Sequence, residues 1–196
     1  MMDSGKTGDL DSSPETGTRL DSRSVRIEPL SPARTVEMVN IIRRNLDSFE
    51  DAGSILAASF RRLENFYETY SRPGSIYLVV TDPASGRCIG GAGLGPLAGL
   101  PTTEEIGEIR ELVIEKPWRN QGIGSCLLNA CLVQAREFRY RRIYLETTPE
   151  MDKATKLFKR YGFQPVTEGR DPAGMALPSY YVLDTSTRGN GPSGSE

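Results

Sequence analysis

The segment Ile106–Ile114 carries apolar and β-branched residues and leads through Lys116-Pro117 into Arg119-Asn120-Gln121-Gly122-Ile123-Gly124. An amphipathic stretch follows as far as Phe138, with Ile123, Leu127, Cys131, Ala135 and Phe138 on one helical face. That order predicts a strand, a glycine-bearing turn and a helix, which commits the chain to mixed α/β layering. The turn presents backbone N–H groups, and the helix start adds its positive dipole end. Glycines at 122 and 124 remove Cβ atoms where a ligand must approach the main chain. Such a turn is a cradle for an anionic, phosphate-bearing ligand.

Composition excludes several function classes. The chain has 196 residues, long enough for one domain with a real core. Its net charge of −2 argues against a generic nucleic-acid binder, since phosphate neutralisation needs a basic surface. No apolar run approaches the ~20 residues that span a bilayer, and the N-terminus shows no apolar core of a secretory signal. No membrane partner and a cytoplasmic location are therefore expected. The three cysteines, Cys88, Cys126 and Cys131, lack metal-ligand spacing and read as reduced thiols. The absence of histidine removes Ser-His-Asp and Cys-His catalysis and the commonest zinc sites, so no metal is expected. Acid–base chemistry must come from carboxylates, tyrosine, lysine, cysteine or water.

Residues 1–23 are polar and Gly/Ser/Thr-rich and read as a disordered tail, as does the segment 185–196. Between them, 24–184 reads as one domain. Strands are expected over 24–30, 75–81, 87–94, 106–114, 142–147, 163–167 and 180–183. Helices are expected over 32–46, 54–70, 122–138 and 152–161. Asp82 to Gly86 is a hairpin turn, and Gly162 is a helix stop. The Gly90-Gly91-x-Gly93 cluster predicts a bulge or a close backbone approach.

From Glu108 to Val166 the chain resembles the GNAT superfamily of acyl-CoA-dependent N-acetyltransferases. Arg119-x-x-Gly122-x-Gly124 fits the family's Arg/Gln-x-x-Gly-x-Gly/Ala motif. Downstream, Ala154-x-x-Leu157-Phe158-x-x-Tyr161-Gly162-Phe163 fits its Ala-x-x-Leu-Tyr-x-x-x-Gly-Phe signature. The two together, at their proper separation, are specific where either alone is weak. The resemblance implies a single-domain fold. It is a mixed, largely antiparallel, splayed sheet of six or seven strands flanked by about four helices. Acetyl-CoA is the implied cosubstrate. Asn120, Gln121, Gly122, Ile123, Gly124 and Ser125 would receive its pyrophosphate, Arg119 would add charge, and Leu112, Val113 and Ile114 would pair with the pantetheine arm.

The implied reaction is direct attack of a primary amine on the acetyl thioester. A base must take the ammonium proton, and main-chain N–H groups near Val113 would polarise the carbonyl. Glu108 lies eleven residues before Arg119, where several relatives carry a glutamate base, and Glu111 is the fallback. Strict alternation would put 108, 110, 112 and 114 on one face and 109, 111 and 113 on the other, leaving only one glutamate facing the slot. Phe158 stands where many relatives have a thiolate-protonating tyrosine, and Met151 where many have asparagine. Phenylalanine has no O–H, so Phe158 is left to pack against the pantetheine arm or in the core. The acid would then be Tyr161, Tyr180, Tyr181 or water. The acceptor site is expected among Phe49, Phe60, Phe66, Tyr67, Tyr70, Tyr180 and Tyr181, with Phe66 and Tyr70 read first as core and Arg61-Arg62 and Arg43-Arg44 as a solvated helix face. A small amine or amino-acid-like acceptor is expected, and a homodimer is plausible for the family. Competing readings are a non-catalytic acyl-CoA-binding module and a protein lysine or N-terminal acetyltransferase. A Rossmann site is disfavoured, because G-x-G-x-x-G and βαβ alternation are both missing.

Overall fold

A computed structural model describes residues 25–46, 53–97, 105–147, 152–166 and 180–186. The residues expected to form the two tails, except 185 and 186, lie outside this set, as do Phe49 and Met151. In chain order the elements are β1 (Arg26–Pro29), α1 (Pro32–Leu46), α2 (Gly53–Glu64), α3 (Phe66–Tyr70), β2 (Ile76–Thr81), β3 (Cys88–Pro96) and β4 (Ile106–Ile114). A 3-10 turn, Lys116–Trp118, then precedes α4 (Ile123–Glu137), β5 (Arg142–Glu146), α5 (Asp152–Arg160), β6 (Gln164–Pro165) and β7 (Tyr180–Asp184).

The seven strands form one sheet in the order β1-β2-β3-β4-β5-β7-β6. Every pairing is antiparallel except β4 with β5, so the sheet is mixed and largely antiparallel, as expected. The β4–β5 ladder runs only from Ile106↔Arg142 to Ile109↔Leu145. From Arg110 onward, β4 therefore has an unpaired edge on its β5 side, which is the splay implied by the family resemblance. Both outermost strands contain proline, Pro29 in β1 and Pro165 in β6.

One difference from the expected elements lies at residues 54–70, read as a single helix but divided at Asn65. Its backbone sits at φ −126, ψ 50, outside the helical region. Asparagine competes with helical hydrogen bonding through its own side chain, so it is a ready breaking point. The new direction buries Phe66 and Tyr70. This raises the expected four helices to five.

The sheet separates two apolar layers. Along β2, Leu78 and Val80 join the cluster beneath α4 and α5, while Tyr77 and Val79 join Met38, Ile41, Ile42, Leu63 and Phe66 beneath α1–α3. This strict alternation, buried on both faces, explains a strand with almost no polar residue. The hairpin turn forms as expected. Asp82 accepts from the backbone N–H groups of Ala84 and Ser85 at 3.1 Å each, and Gly86 takes φ +68. Helix α5 ends at Gly162 (φ +87), with N–H bonds from Gly162 to Lys159 O (2.9 Å) and from Phe163 to Phe158 O (3.1 Å). That is a Schellman stop. Among the described residues, no helix is long and apolar enough to cross a membrane.

Candidate functional site

The site grows from an irregularity in β4. Gly91 pairs with Val113 and Gly93 with Arg110, so one residue of β3 lies opposite two of β4. The bulge expected near the β3 glycines is present, but the extra residue belongs to β4. Glu111 adopts φ +42, an uncommon conformation for a non-glycine residue.

The bulge overturns the expected alternation. Ile109 lies in the α4/α5-side cluster, and Leu112 and Ile114 lie there too, whereas Val113 packs on the α1–α3 side. Parity thus flips across Glu111. Glu108 and Glu111 are not sorted to opposite faces. Glu108 is bound to Arg110, and Arg110 and Glu111 both act on the Tyr70 hydroxyl from the α1–α3 side. An inserted residue resets the two-residue period, which a regular strand could not do.

Each glutamate is paired. Glu108 Oε2 accepts from Arg110 Nε at 2.6 Å, and Arg110 Nη2 also donates to the Pro96 carbonyl. Among the described residues, hydrogen bonds to Glu108 involve Oε2 alone. Glu111, with its side chain fully inaccessible, accepts from Arg62 Nε at 2.6 Å and from the Tyr70 hydroxyl. Its main-chain carbonyl accepts from the Tyr77 hydroxyl at 3.0 Å. Burial first, and the Glu111 charge second, hold the Tyr70 and Tyr77 phenols well above their ordinary range, so both remain donors. Arg62 is therefore half of an ion pair rather than part of a solvated face, while Arg61 is exposed. Arg110 was missed altogether. Its signal was the alternation Glu108-x-Arg110 inside a strand otherwise destined for burial.

The loop after β4 is fixed from several sides. Glu115 N–H donates to Ile89 O at 2.9 Å. Arg119 Nε donates to Ile114 O at 2.8 Å, and its Nη2 donates to Asn45 Oδ1 of α1 at 2.6 Å. The Arg119 guanidinium thus braces the loop. Asn120 stands at φ +63 and accepts from Lys153 Nζ at 3.3 Å. Gln121 Nε2 donates to Pro117 O at 2.9 Å, while its buried Oε1 has no partner among the described residues.

Gly122 is the N-cap of α4, left-handed at φ +81 and ψ −9, with no side-chain cap. Glycine is required there by conformation. Gly124 differs. A Cβ there would lie 3.5 Å from Leu157, an ordinary contact, so alanine fits equally well. The Ser125 and Cys126 N–H groups both turn back to Gly122 O, at 3.0 and 3.1 Å. Ser125 is thus occupied within the turn, while Ile123 and Gly124 open the helix without an i−4 partner inside it. The helix-start N–H groups and the uncapped glycine fit a phosphate group.

The remaining residues divide between two places. Phe158 is 5% exposed and packs on Phe163 with ring centroids 6.1 Å apart, a core role. The Tyr161 hydroxyl donates to Ser125 O at 2.9 Å in the first turn of α4, and burial raises its pKa. Tyr180 packs on Tyr144 near Leu97 and Ile106, whereas Tyr181 packs on the opposite face of the sheet. The structure brings Glu108, Arg110, Glu111, Arg62 and Tyr70 together, and separately Tyr161 with Ser125 and Phe158 beside the α4 start.

Residues 40–163 match the model of the acetyltransferase (GNAT) family. An uncharacterized N-acetyltransferase of Escherichia coli, YjgM, is 34% identical over 104 residues, covering 53% of this chain and 60% of the relative. An N-alpha-acetyltransferase of Sulfurisphaera tokodaii is 30% identical over 94 residues, covering 44% of this chain and 56% of the relative. The chain thus spans less than two thirds of the length of either. Among solved structures, a GNAT-family acetyltransferase from Staphylococcus aureus superposes with TM-score 0.67 at 19% identity, over 82% of this chain and 98% of that one. An acetyltransferase from Streptococcus agalactiae gives 0.63 at 15% identity, over 83% and 99%. The strand order, the splay, the paired motifs and the matched span lead to one conclusion: this chain belongs to the acetyltransferase (GNAT) family.

Proposed function

We propose that this chain transfers the acetyl group of acetyl-CoA to the primary amine of a small or amino-acid-like acceptor. The observation that carries the reading is the bulged, half-unpaired β4 leading directly into the left-handed glycine start of α4. The open edge over Leu112, Val113 and Ile114 offers main-chain groups to the pantetheine amides. The N–H groups from Gln121 to Gly124 receive the pyrophosphate. The amine nitrogen then attacks the thioester carbonyl. A C–N bond forms, the C–S bond breaks, and coenzyme A leaves as the thiol.

Two protons move when the acceptor begins as an ammonium. Glu108 takes the first, because its Oε1 is free of hydrogen bonds among the described residues while both Glu111 oxygens are engaged. The second ends on the thiolate. Phe158 cannot supply it, and the Tyr161 hydroxyl is directed at Ser125 O, so water is the simpler donor. The Sulfurisphaera relative, named for N-alpha acetylation, favours a second acceptor class, the α-amino group of a peptide.

The test is thiol release from acetyl-CoA with small amines and peptides side by side. Glu108→Gln should lower kcat by about 10²-fold near neutral pH, with little change in acetyl-CoA affinity. A wild-type pH–rate profile in that variant would remove Glu108 as base. Tight acetyl-CoA binding without turnover on any acceptor would replace the enzyme reading with a binding module.

A further inference from the structure

Three elements converge on the single strained residue of β4. Arg62 of α2 and Tyr70 of α3 hold the Glu111 carboxylate, and Tyr77 of β2 holds its carbonyl. Tyr70 and Tyr77 are packed edge to face, 5.2 Å apart, and Phe66 locks both at 5.2 and 4.7 Å. Both tyrosines reach β4 across β3 through places where β3 has no side chain. A Cβ on Gly91 would collide with the Tyr77 ring, and one on Gly93 with the end of Tyr70. The glycines of β3 are thus seats for the two phenols. Positive φ at a glutamate persists only where its surroundings over-determine it, and here three side chains do so.

From this convergence we infer that Arg62, Tyr70 and Tyr77 form a clamp on Glu111 that aims the adjacent N–H group of Leu112 at the acetyl carbonyl, since the Val113 N–H faces Gly91 in the β3 ladder. They are positioning residues and touch neither substrate. The inference rests on the acetyl-transfer reading and goes beyond it, because it assigns the polarising geometry to α2, α3 and β2. It also ties the helices expected to line the acceptor site to the strand that holds the acyl group.

Tyr77→Phe is the cleanest probe, since it removes one O–H and leaves the ring. kcat should fall about tenfold or more, with the Kd for coenzyme A, which has no acetyl carbonyl, held within about twofold. The kcat pH profile should keep its wild-type shape, which loss of a base would not allow. The infrared carbonyl stretch of bound 13C-labelled acetyl-CoA should move back toward its value in solution. Glu111→Gly is the second variant, because glycine accepts a positive φ but has no carboxylate for Arg62 and Tyr70 to hold, leaving only the Tyr77 bond to its carbonyl. It should show the same loss of carbonyl polarisation. Wild-type kcat and carbonyl frequency in Tyr77→Phe would overturn the inference, whatever happened to the melting temperature. If wild type binds acetyl-CoA but turns over no acceptor, the transfer reading fails while the carbonyl frequency still decides the clamp.

Discussion

At the scale of single residues, the chemistry is set by which charged and polar groups are buried with a partner. Arg62 and Arg110 each enter the interior beside a glutamate, and neither glutamate is left alone there. The thiols show the complementary case. Cys88 and Cys131 are buried and pushed up to about 12, chiefly by burial, whereas Cys126 is only partly covered. A thiol reagent at pH 8 should therefore label Cys126 in the native protein and the other two only in denaturant. Equal labelling of all three would contradict the burial. Stability follows the same pKa difference. The folded state holds these protons more tightly than the unfolded chain, whose thiols titrate near ~8.5. The contribution is fully present below that pH and is lost as pH rises through about 12. Unfolding by urea across pH 8 to 11 would show it.

At the scale of elements, the junction of β4 and α4 is where local conformation and ligand binding meet. Gly122→Trp places a bulky side chain at φ +81, on an exposed residue outside the apolar clusters. The strain costs about 1–2 kcal/mol, so the domain should remain folded with a somewhat lower Tm. Acetyl-CoA binding by calorimetry should disappear, and wild-type affinity would remove the cradle. This junction was legible in the sequence, as were all seven strands and the Gly162 stop, because periodicity and glycine placement are local signals. The break at Asn65 was not, since the pattern of apolar residues continues through it. The parity flip was not legible either. Gly91 and Gly93 advertised an irregularity, but the residue that carries it sits on the facing strand. Arg62 and Tyr70 were readable only as an exposed helix face and a core aromatic, because their shared partner is more than 40 residues away.

At the scale of the whole molecule, the sheet is a well-bonded centre with lighter flanks. The β2–β3–β4 region is buried on both sides, while β6 contributes two residues to its ladder with β7. Amide exchange should be slowest at Val79, Val80 and Ala92 and fastest along β1 and at Gln164. The reverse order, measured by mass spectrometry or NMR, would mean that the outer ladders carry more of the fold than their length allows. The prolines at the two borders have a further consequence. A strand edge with a full row of N–H groups invites another chain to add on, and seeds fibres when it does. Here each border strand lacks one donor, at Pro29 and Pro165, and neither exceeds four residues. Lateral growth of the sheet, by a second copy or by an aggregating neighbour, is thus blunted at both ends. Pairing of two such molecules would fall to their helices and side chains.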